Sequence, residues 1–340
     1  MEKRATMSDV AERAGVSQAT VSLVLNGVPN ARVSRATRRR VAEAAEALGY
    51  RKGKGHPVPS GRTRVIGLFI DEVTTTPFAT PFIEGACDEA ALQEVTVATF
   101  CTRADPVLEK AALDLLVAQK AIGVIYASLI TRQIVLPEHM TGLPLVLLNC
   151  YERKLRFPSV VPSDIAGGYV ATEQLLKAGH RRIAHLTGEG WIEASLDREK
   201  GFRQAMAHYQ VPVDEALVVP GGWTIRGGRD LTRALLAMED RPTAIFCFND
   251  RMAIGAYEAA RAVGLLVPED ISIVGFDDED LVAYLDPALT TIVLPHEEMA
   301  RWAVGQLLDG YAAADQADRL QKIKIECELV PRNSVAPPRI

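Results

Sequence analysis

The chain has 340 residues, of which 48% are hydrophobic and 24% charged, a composition typical of a folded protein with room for two or three domains. No apolar run approaches the length of a membrane-spanning helix, about 18 residues, and residues 1–6 contain no apolar signal core. These observations argue against a membrane or exported protein. Five cysteines without a C-x-x-C pair indicate buried thiols in a reducing compartment, so we expect a cytoplasmic protein.

Charge is distributed unevenly along the chain, although the net charge is only −5. Residues 1–64 hold 13 Lys and Arg against 5 Asp and Glu, and the remainder holds 25 against 38. A basic segment attached to an acidic body is typical of a module that binds a polyanion such as DNA, fused to a domain that does not. A solvated charged surface is the alternative interpretation.

Two short helices around a tight turn are predicted for residues 6–25. Thr6 and Asp9 form a T-x-x-D helix start, and Gly15 follows the last apolar residue of the first helical period. A third amphipathic helix is predicted for residues 35–48. This is the helix-turn-helix pattern, in which the second helix enters the DNA major groove. A small structural three-helix domain is the alternative.

Residues 51–64 combine glycine and proline with lysine and arginine, which predicts a basic linker without regular structure. Such a linker next to a DNA-reading head could follow phosphates or enter a minor groove. It could equally be a flexible tether with solvated charges.

From Arg64 onward, short apolar segments alternate with amphipathic segments of helical period. This alternation predicts an α/β core of two lobes, each a doubly wound parallel sheet covered by helices. We therefore expect an all-α helix-turn-helix head at 1–50, a basic hinge or linker at 51–63 and a core at 64–340. Within the core we expect lobe 1 at about 64–162 plus 292–322 and lobe 2 at about 163–291 plus 323–340.

Polar, acidic and aromatic residues follow the predicted strands, where parallel sheets bind their ligands. The set includes Asp71, Ser128, Asn149, Trp191, Trp223, Asn249 and Asp277. Carboxylates and amides accept hydrogen bonds from hydroxyls, and an indole can cover the C–H side of a ring. The set predicts a hydroxyl-rich ligand between the lobes, although any one member, such as Asn249, could simply cap the next helix.

Catalytic signatures are missing from the sequence. It contains no G-x-S-x-G and no P-loop, and His296-Glu297-Glu298 lacks a second histidine four residues on. We therefore expect no catalytic residue, no cofactor and no metal. An enzyme or a sugar-transport binding protein with the same two-lobed core remains the alternative.

Short motifs occur in order along nearly the whole chain. They are Ser8-Asp9-Val10-Ala11, Ala14-Gly15-Val16-Ser17, Val65-Ile66-Gly67-Leu68, Gly179-His180-Arg181-Arg182, Arg241-Pro242-Thr243-Ala244, Val274-Gly275-Phe276-Asp277-Asp278 and Leu329-Val330-Pro331-Arg332. Together they resemble the lactose-repressor (LacI/GalR) family of transcription regulators. The resemblance implies a core like that of a periplasmic sugar-binding protein. It also implies a homodimer, expected to be a repressor, that binds palindromic double-stranded operator DNA in the nucleoid. A sugar or related polyol in the interlobe cleft would modulate its operator affinity.

Functional positions of the family carry over to matching residues of this chain. Those expected at DNA are Thr6, Ser17, Gln18, Ala19, Thr20, Ser22, Leu23 and Asn26, of which Gln18, Ala19 and Leu23 would read bases. Those expected at the effector are Phe78, Asn149, Arg198, Trp223, Asn249 and Asp277.

Three positions depart from the family pattern. The segment after Tyr50 lacks the usual hinge helix with its minor-groove leucine. Leu23 stands where the family commonly has a polar or basic residue, so it can offer bases only apolar contact. Ile165 replaces an asparagine common in the family, which leaves the neighbouring Asp164 out of the expected effector site.

Overall fold

The computed structural model describes residues 7–25, 35–48, 64–72, 78–309 and 322–339. These residues form a helical head and a core of two α/β lobes. None of the helices in these ranges is long and apolar enough to cross a membrane.

The head consists of three helices that share one core. They are α1 (Met7–Ala14), α2 (Gln18–Leu25) and α3 (Arg35–Ala47). Each contributes a fully buried valine to the same apolar cluster, namely Val10, Val21 and Val41. Gly15, with φ at +64°, ends α1 in a conformation that favours glycine. The predicted helix-turn-helix is confirmed.

Lobe 1 is built on a six-stranded parallel sheet with the order β11-β5-β4-β3-β1-β2. Its strands are β1 (Arg64–Ile70), β2 (Val95–Cys101), β3 (Gly123–Ile134), β4 (Leu145–Glu152), β5 (Ser159–Pro162) and β11 (Lys322–Ile325). Three helices cover it: α4 (Thr80–Ala91), α5 (Pro106–Ala118) and α10 (His296–Leu308). Apolar residues of α4 and α10 pack with Leu68 and Ile125, and those of α5 pack with Phe69 and Val124. Because successive strand residues point to opposite faces, both faces of the sheet are buried.

Lobe 2 is built on a four-stranded parallel sheet with the order β7-β6-β8-β9. Its strands are β6 (Ile183–Thr187), β7 (Val218–Pro220), β8 (Ala244–Cys247) and β9 (Ser272–Val274). Its helices are α6 (Asp164–Lys177), α7 (Glu193–His208), α8 (Ile225–Leu236) and α9 (Asp250–Ala262). The first two helices pack on one face with Ile183 and Phe246, and the other two pack with Ile245 and Ile273. The predicted two-lobed α/β core is confirmed.

Glycines allow α6 and α7 to approach each other closely. A side chain at Gly168 would meet the backbone oxygen of Arg198 at 2.3 Å, and one at Gly201 would meet that of Ile165 at 2.1 Å. Only glycine permits this approach. It brings Arg198 on α7 next to Asp164 at the start of α6.

The chain passes between the lobes three times. The first passage joins β5 to α6, the second follows β10 (Thr291–Ile292) into α10, and the third joins β11 to β12 (Leu329–Val330). Strands β10 and β12 pair antiparallel, so two of the passages are hydrogen-bonded to each other. Strand β11 pairs with β5 in the first sheet, whereas the sequence-based boundary put residues 323–340 in lobe 2. We therefore propose that lobe 1 extends to residue 325.

Candidate functional site

Four of the residues expected to contact DNA lie just before α2 or in the first two turns of this helix. Ser17 precedes the helix, and its Oγ accepts a hydrogen bond of 3.1 Å from the backbone N–H of Thr20, as an N-cap does. Gln18 and Ser22 line a small cleft whose other wall is formed by α10, including Arg301 and Trp302. Thr6 and Asn26, and the side chains of Ala19 and Leu23, lie outside the described residues.

Arg198 is the centre of a buried polar network in lobe 2. Its side chain is only 4% exposed, and its guanidinium donates to Asp164 Oδ1 at 2.8 Å and to the Phe248 carbonyl at 2.7 Å. The same group lies 3.5 Å from Asp277 Oδ1. The rings of Phe248 and Phe276 flank it, with centroids 4.7 Å and 3.5 Å from the guanidinium carbon. One buried cation thus connects two buried carboxylates.

Burial dominates the electrostatics of these carboxylates. It raises the pKa of Asp164, and Arg198 opposes the rise. It also raises the pKa of Asp277 well above its usual value; Arg198 again opposes the rise and the neighbouring Asp250 adds to it. The network therefore depends on Arg198 to keep two acidic groups in a dry site.

Asn249 and Trp223 are connected directly. Asn249 Oδ1 accepts from the backbone N–H of Met252 at 2.9 Å and caps α9, while Asn249 Nδ2 donates to the Trp223 carbonyl at 3.1 Å. Asn249 is thus the helix cap that the sequence allowed as an alternative, and it also fixes the loop of Trp223. That indole is 39% exposed at the end of β7.

The two expected effector residues of lobe 1 differ in their surroundings. Phe78 lies next to lobe 2, because the guanidinium carbon of Arg251 on α9 is 5.7 Å from its ring centroid. Asn149 is buried within lobe 1, where its Oδ1 accepts from Thr131 Oγ1 at 2.7 Å and its Nδ2 donates to the Ser128 carbonyl at 2.9 Å. The structure therefore brings Arg198 and Asp277 together, and Asn249 and Trp223 together, but hydrogen-bonds Asn149 within its own lobe.

Comparisons with known protein families find one match in the head and one in the core. Residues 6–52 match the family of bacterial regulatory proteins of the lacI type, and residues 172–335 match the periplasmic binding protein-like domain. The regulator DegA of Bacillus subtilis is 34% identical over 346 residues, covering 98% of this chain and 99% of DegA. The chain belongs to the LacI family. This LacI-family protein is consequently a transcriptional regulator and not an enzyme.

Solved structures of regulators share the fold of this LacI-family protein. The lac repressor dimer bound to operator and the anti-inducer ONPF is 27% identical, covers 98% of this chain and 100% of its own, and gives a TM-score of 0.66. The regulator CelR in complex with cellobiose is 29% identical, covers 97% and 100%, and gives a TM-score of 0.63. The likeness therefore spans the head and both lobes.

Three residues of this region are absent from the effector positions carried over from the family, although one of them, Trp191, is among the residues that follow the predicted strands. Asp164 was left out because of its neighbour Ile165, yet it is hydrogen-bonded to Arg198. Trp191 follows β6, and its ring centroid is 6.1 Å from that of Trp223. His296 begins α10, stacks on Phe82 and is fully buried, and its Nε2 has no hydrogen-bond partner among the described residues. The position of Trp191 after a predicted strand was a usable signal, whereas the other two depend on contacts distant in sequence.

Metal binding receives no support from the described ranges. They contain no group of three or more His, Cys, Asp or Glu residues arranged to hold a metal ion.

Proposed function

We propose that the protein is a homodimeric repressor that binds a palindromic operator, and that a sugar or related polyol in the interlobe cleft changes its operator affinity. It would act in the cytoplasm, on the DNA of the nucleoid. The observation that carries the effector proposal is Arg198, buried between Asp164 and Asp277 at the junction of the lobes. A ligand that touches this network can favour one arrangement of the lobes over another.

The chemistry of the cleft supports a hydroxylated ligand. Asp277 and Asn249 offer oxygen acceptors for hydroxyl groups, and Arg198 offers guanidinium N–H donors. Trp223 adds an exposed apolar ring face beside them. The cellobiose bound by CelR, a relative of the same fold, is a ligand of this class.

The head supports operator binding through two contributions. The excess of Lys and Arg in residues 1–64 provides attraction to phosphates, which weakens as salt rises. Gln18, in the first turn of α2, would read a base edge, because a glutamine can bond adenine with both its amide atoms. A dimer would place two such helices on two half-sites. The lac repressor, a relative of the same fold, is bound to its operator as a dimer.

The direct test measures binding to a labelled DNA fragment from upstream of the protein's own gene. Fluorescence anisotropy should give an affinity that falls with added salt and that changes when the effector sugar is added. Gln18→Ala should weaken binding to the specific fragment about tenfold and leave binding to random DNA unchanged. Gln204→Ala, an exposed glutamine on α7, is the matched control. Equal binding of the specific fragment by both variants would refute the assignment of Gln18, and binding insensitive to salt would refute that of the basic head.

A further inference from the structure

Two tryptophans stand exposed at one end of the lobe 2 sheet. Trp191 is 64% exposed and Trp223 is 39% exposed, and they meet edge to face with an interplanar angle of 84°. They follow β6 and β7, which are neighbours in the sheet. Large apolar rings exposed together are a feature of binding surfaces.

Hydrogen bonds hold the Trp191 indole and the backbone of the Trp223 loop in place. Trp191 Nε1 donates to Glu189 Oε2 at 2.5 Å, and the next residue, Ile192, is buried at the start of α7. The Trp223 carbonyl accepts from Asn249, and Thr224 caps α8 through a 3.0 Å hydrogen bond from the Gly227 N–H. A fixed ring loses little conformational freedom when a ligand covers it, so Trp191 is preorganised for binding.

The tryptophan pair continues the polar cleft along one edge of the sheet. In the order β7-β6-β8-β9, Trp223 and Trp191 follow the first two strands, and Asn249 and Asp277 follow the last two. Neighbouring strands are about 4.8 Å apart, so the end of β9 lies roughly 10 Å from β6 and 14 Å from β7. This span exceeds the width of one pyranose ring, so a single sugar ring cannot cover the whole edge.

The chemistry beside the rings fits a second sugar ring. The Glu189 carboxylate lies at the edge of the Trp191 indole, and its Oε1 lies beside Gly222 in the loop of the other tryptophan. A carboxylate next to an aromatic face can accept hydrogen bonds from the hydroxyls of a ring whose C–H side covers the indole.

We infer that the effector is a disaccharide or longer saccharide, with one ring at Arg198, Asn249 and Asp277 and a second ring on Trp191. This inference rests on the proposed sugar effector and adds the size of the ligand to it. Trp191 is then the residue that selects a two-ring ligand over a monosaccharide. Trp223, whose carbonyl accepts from Asn249 and whose ring meets that of Trp191 edge to face, lies beside both positions.

The test is isothermal titration calorimetry of the full chain with a panel of ligands. The panel contains D-glucose, D-galactose, D-ribose, the disaccharides cellobiose, maltose, lactose, sucrose and trehalose, and adenosine as a ring compound of another class. At least one disaccharide should bind about tenfold more tightly than its component monosaccharides. Trp191→Ala should remove up to about tenfold of that affinity, Trp191→Phe should retain most of it, and both should bind the monosaccharide as before.

Leu196→Ala supplies the matched control. Leu196 lies on α7 and is 55% exposed, but it lines the outer surface of the lobe together with Glu199 and Arg203. It should leave all affinities unchanged. A monosaccharide that binds as tightly as every disaccharide, with Trp191→Ala silent, would overturn the inference and leave the sugar effector standing. Binding of adenosine alone, or of no sugar in the panel, would overturn the sugar effector and the inference together.

Discussion

The carboxyl edges of the two sheets use their polar residues differently, although both sheets are parallel. In lobe 1, Asp71 accepts from the backbone N–H of Leu129 at 3.1 Å and pairs with Arg132 at 2.5 Å, and Asn149 bonds to Ser128 and Thr131. All of these partners belong to lobe 1. In lobe 2, Arg198 and Asp277 meet next to the interlobe passages, and Trp191 and Trp223 face solvent.

The difference follows from the shape of one strand. Strand β3 runs on to Ile134, and its pairing with β4 shifts register between Ala127 and Arg132. An irregular strand leaves backbone groups unpaired in the ladder, and Asp71 and Asn149 bond to that segment. The strands of lobe 2 end without such an extension, and two of the side chains that follow them, Trp191 and Trp223, are exposed. We therefore expect lobe 2 to determine most of the effector specificity.

Arg198→Ala should produce the largest effect on the lobe 2 edge. It leaves Asp164 and Asp277 buried without their cation, and breaking a buried ion pair in this way costs about 3–5 kcal/mol of unfolding free energy. Urea unfolding at pH 7.5 measures the loss. Arg203→Ala on the same helix removes exposed pairs with Glu199 and Glu215 and should cost less than about 1 kcal/mol. Equal losses in the two variants would show that the Arg198 network does not depend on burial.

The substitution His185→Phe tests whether a buried histidine in β6, a strand that ends at the same sheet edge, is uncharged in the folded protein. The imidazole lies between the rings of Phe202 and Phe246, at 5.2 Å and 4.5 Å, and burial lowers its pKa from 6.5 to about 4. The unfolded chain therefore binds a proton at higher pH than the folded chain does. Stability linked to this group is complete above pH 6.5 and falls as the pH drops towards 4, by about 3 kcal/mol in total.

The measurement is urea unfolding of both proteins at several pH values between 7.5 and 4.5. The unmodified chain should lose stability relative to His185→Phe as the pH falls, because the phenyl ring takes up no proton. Parallel stability curves for the two proteins would show that His185 is already protonated in the fold, or exposed to water.

Local patterns allowed much of the fold to be predicted. The apolar period and the stop at Gly15 gave the head, and the alternation of short apolar and amphipathic segments gave two parallel sheets. The strand-end rule also placed Trp223, Asn249 and Asp277 on one edge, because parallel strands bring their carboxyl ends together.

Contacts between distant residues explain what the sequence did not reveal. Asp164 and Arg198 are 34 positions apart and meet only because glycines let α6 and α7 approach closely. Strand β11 pairs with β5, and nothing local in the sequence of residues 322–325 indicates that it joins β5 rather than lobe 2. The same holds for Asn149, which has the residue type and position of a ligand contact but takes its partners from the irregular part of β3.

Of the three substitutions, Asn149→Ala should have the smallest effect on stability. It is also the most direct test of the difference between the carboxyl edges of the two sheets. It leaves the Thr131 hydroxyl and the Ser128 carbonyl without their partner, at a cost of about 1–3 kcal/mol. The backbone adds to this cost, since φ at Asn149 is +57°, a conformation that asparagine tolerates better than alanine. Asn149→Gly removes the same hydrogen bonds but accepts this φ, so the difference between the variants reports the backbone contribution. Both should keep the calorimetric affinity for the effector, because the amide of Asn149 bonds within lobe 1. A tenfold loss of effector affinity in the glycine variant would instead make Asn149 a ligand contact, as the family resemblance implied, and the two edges would then share one role.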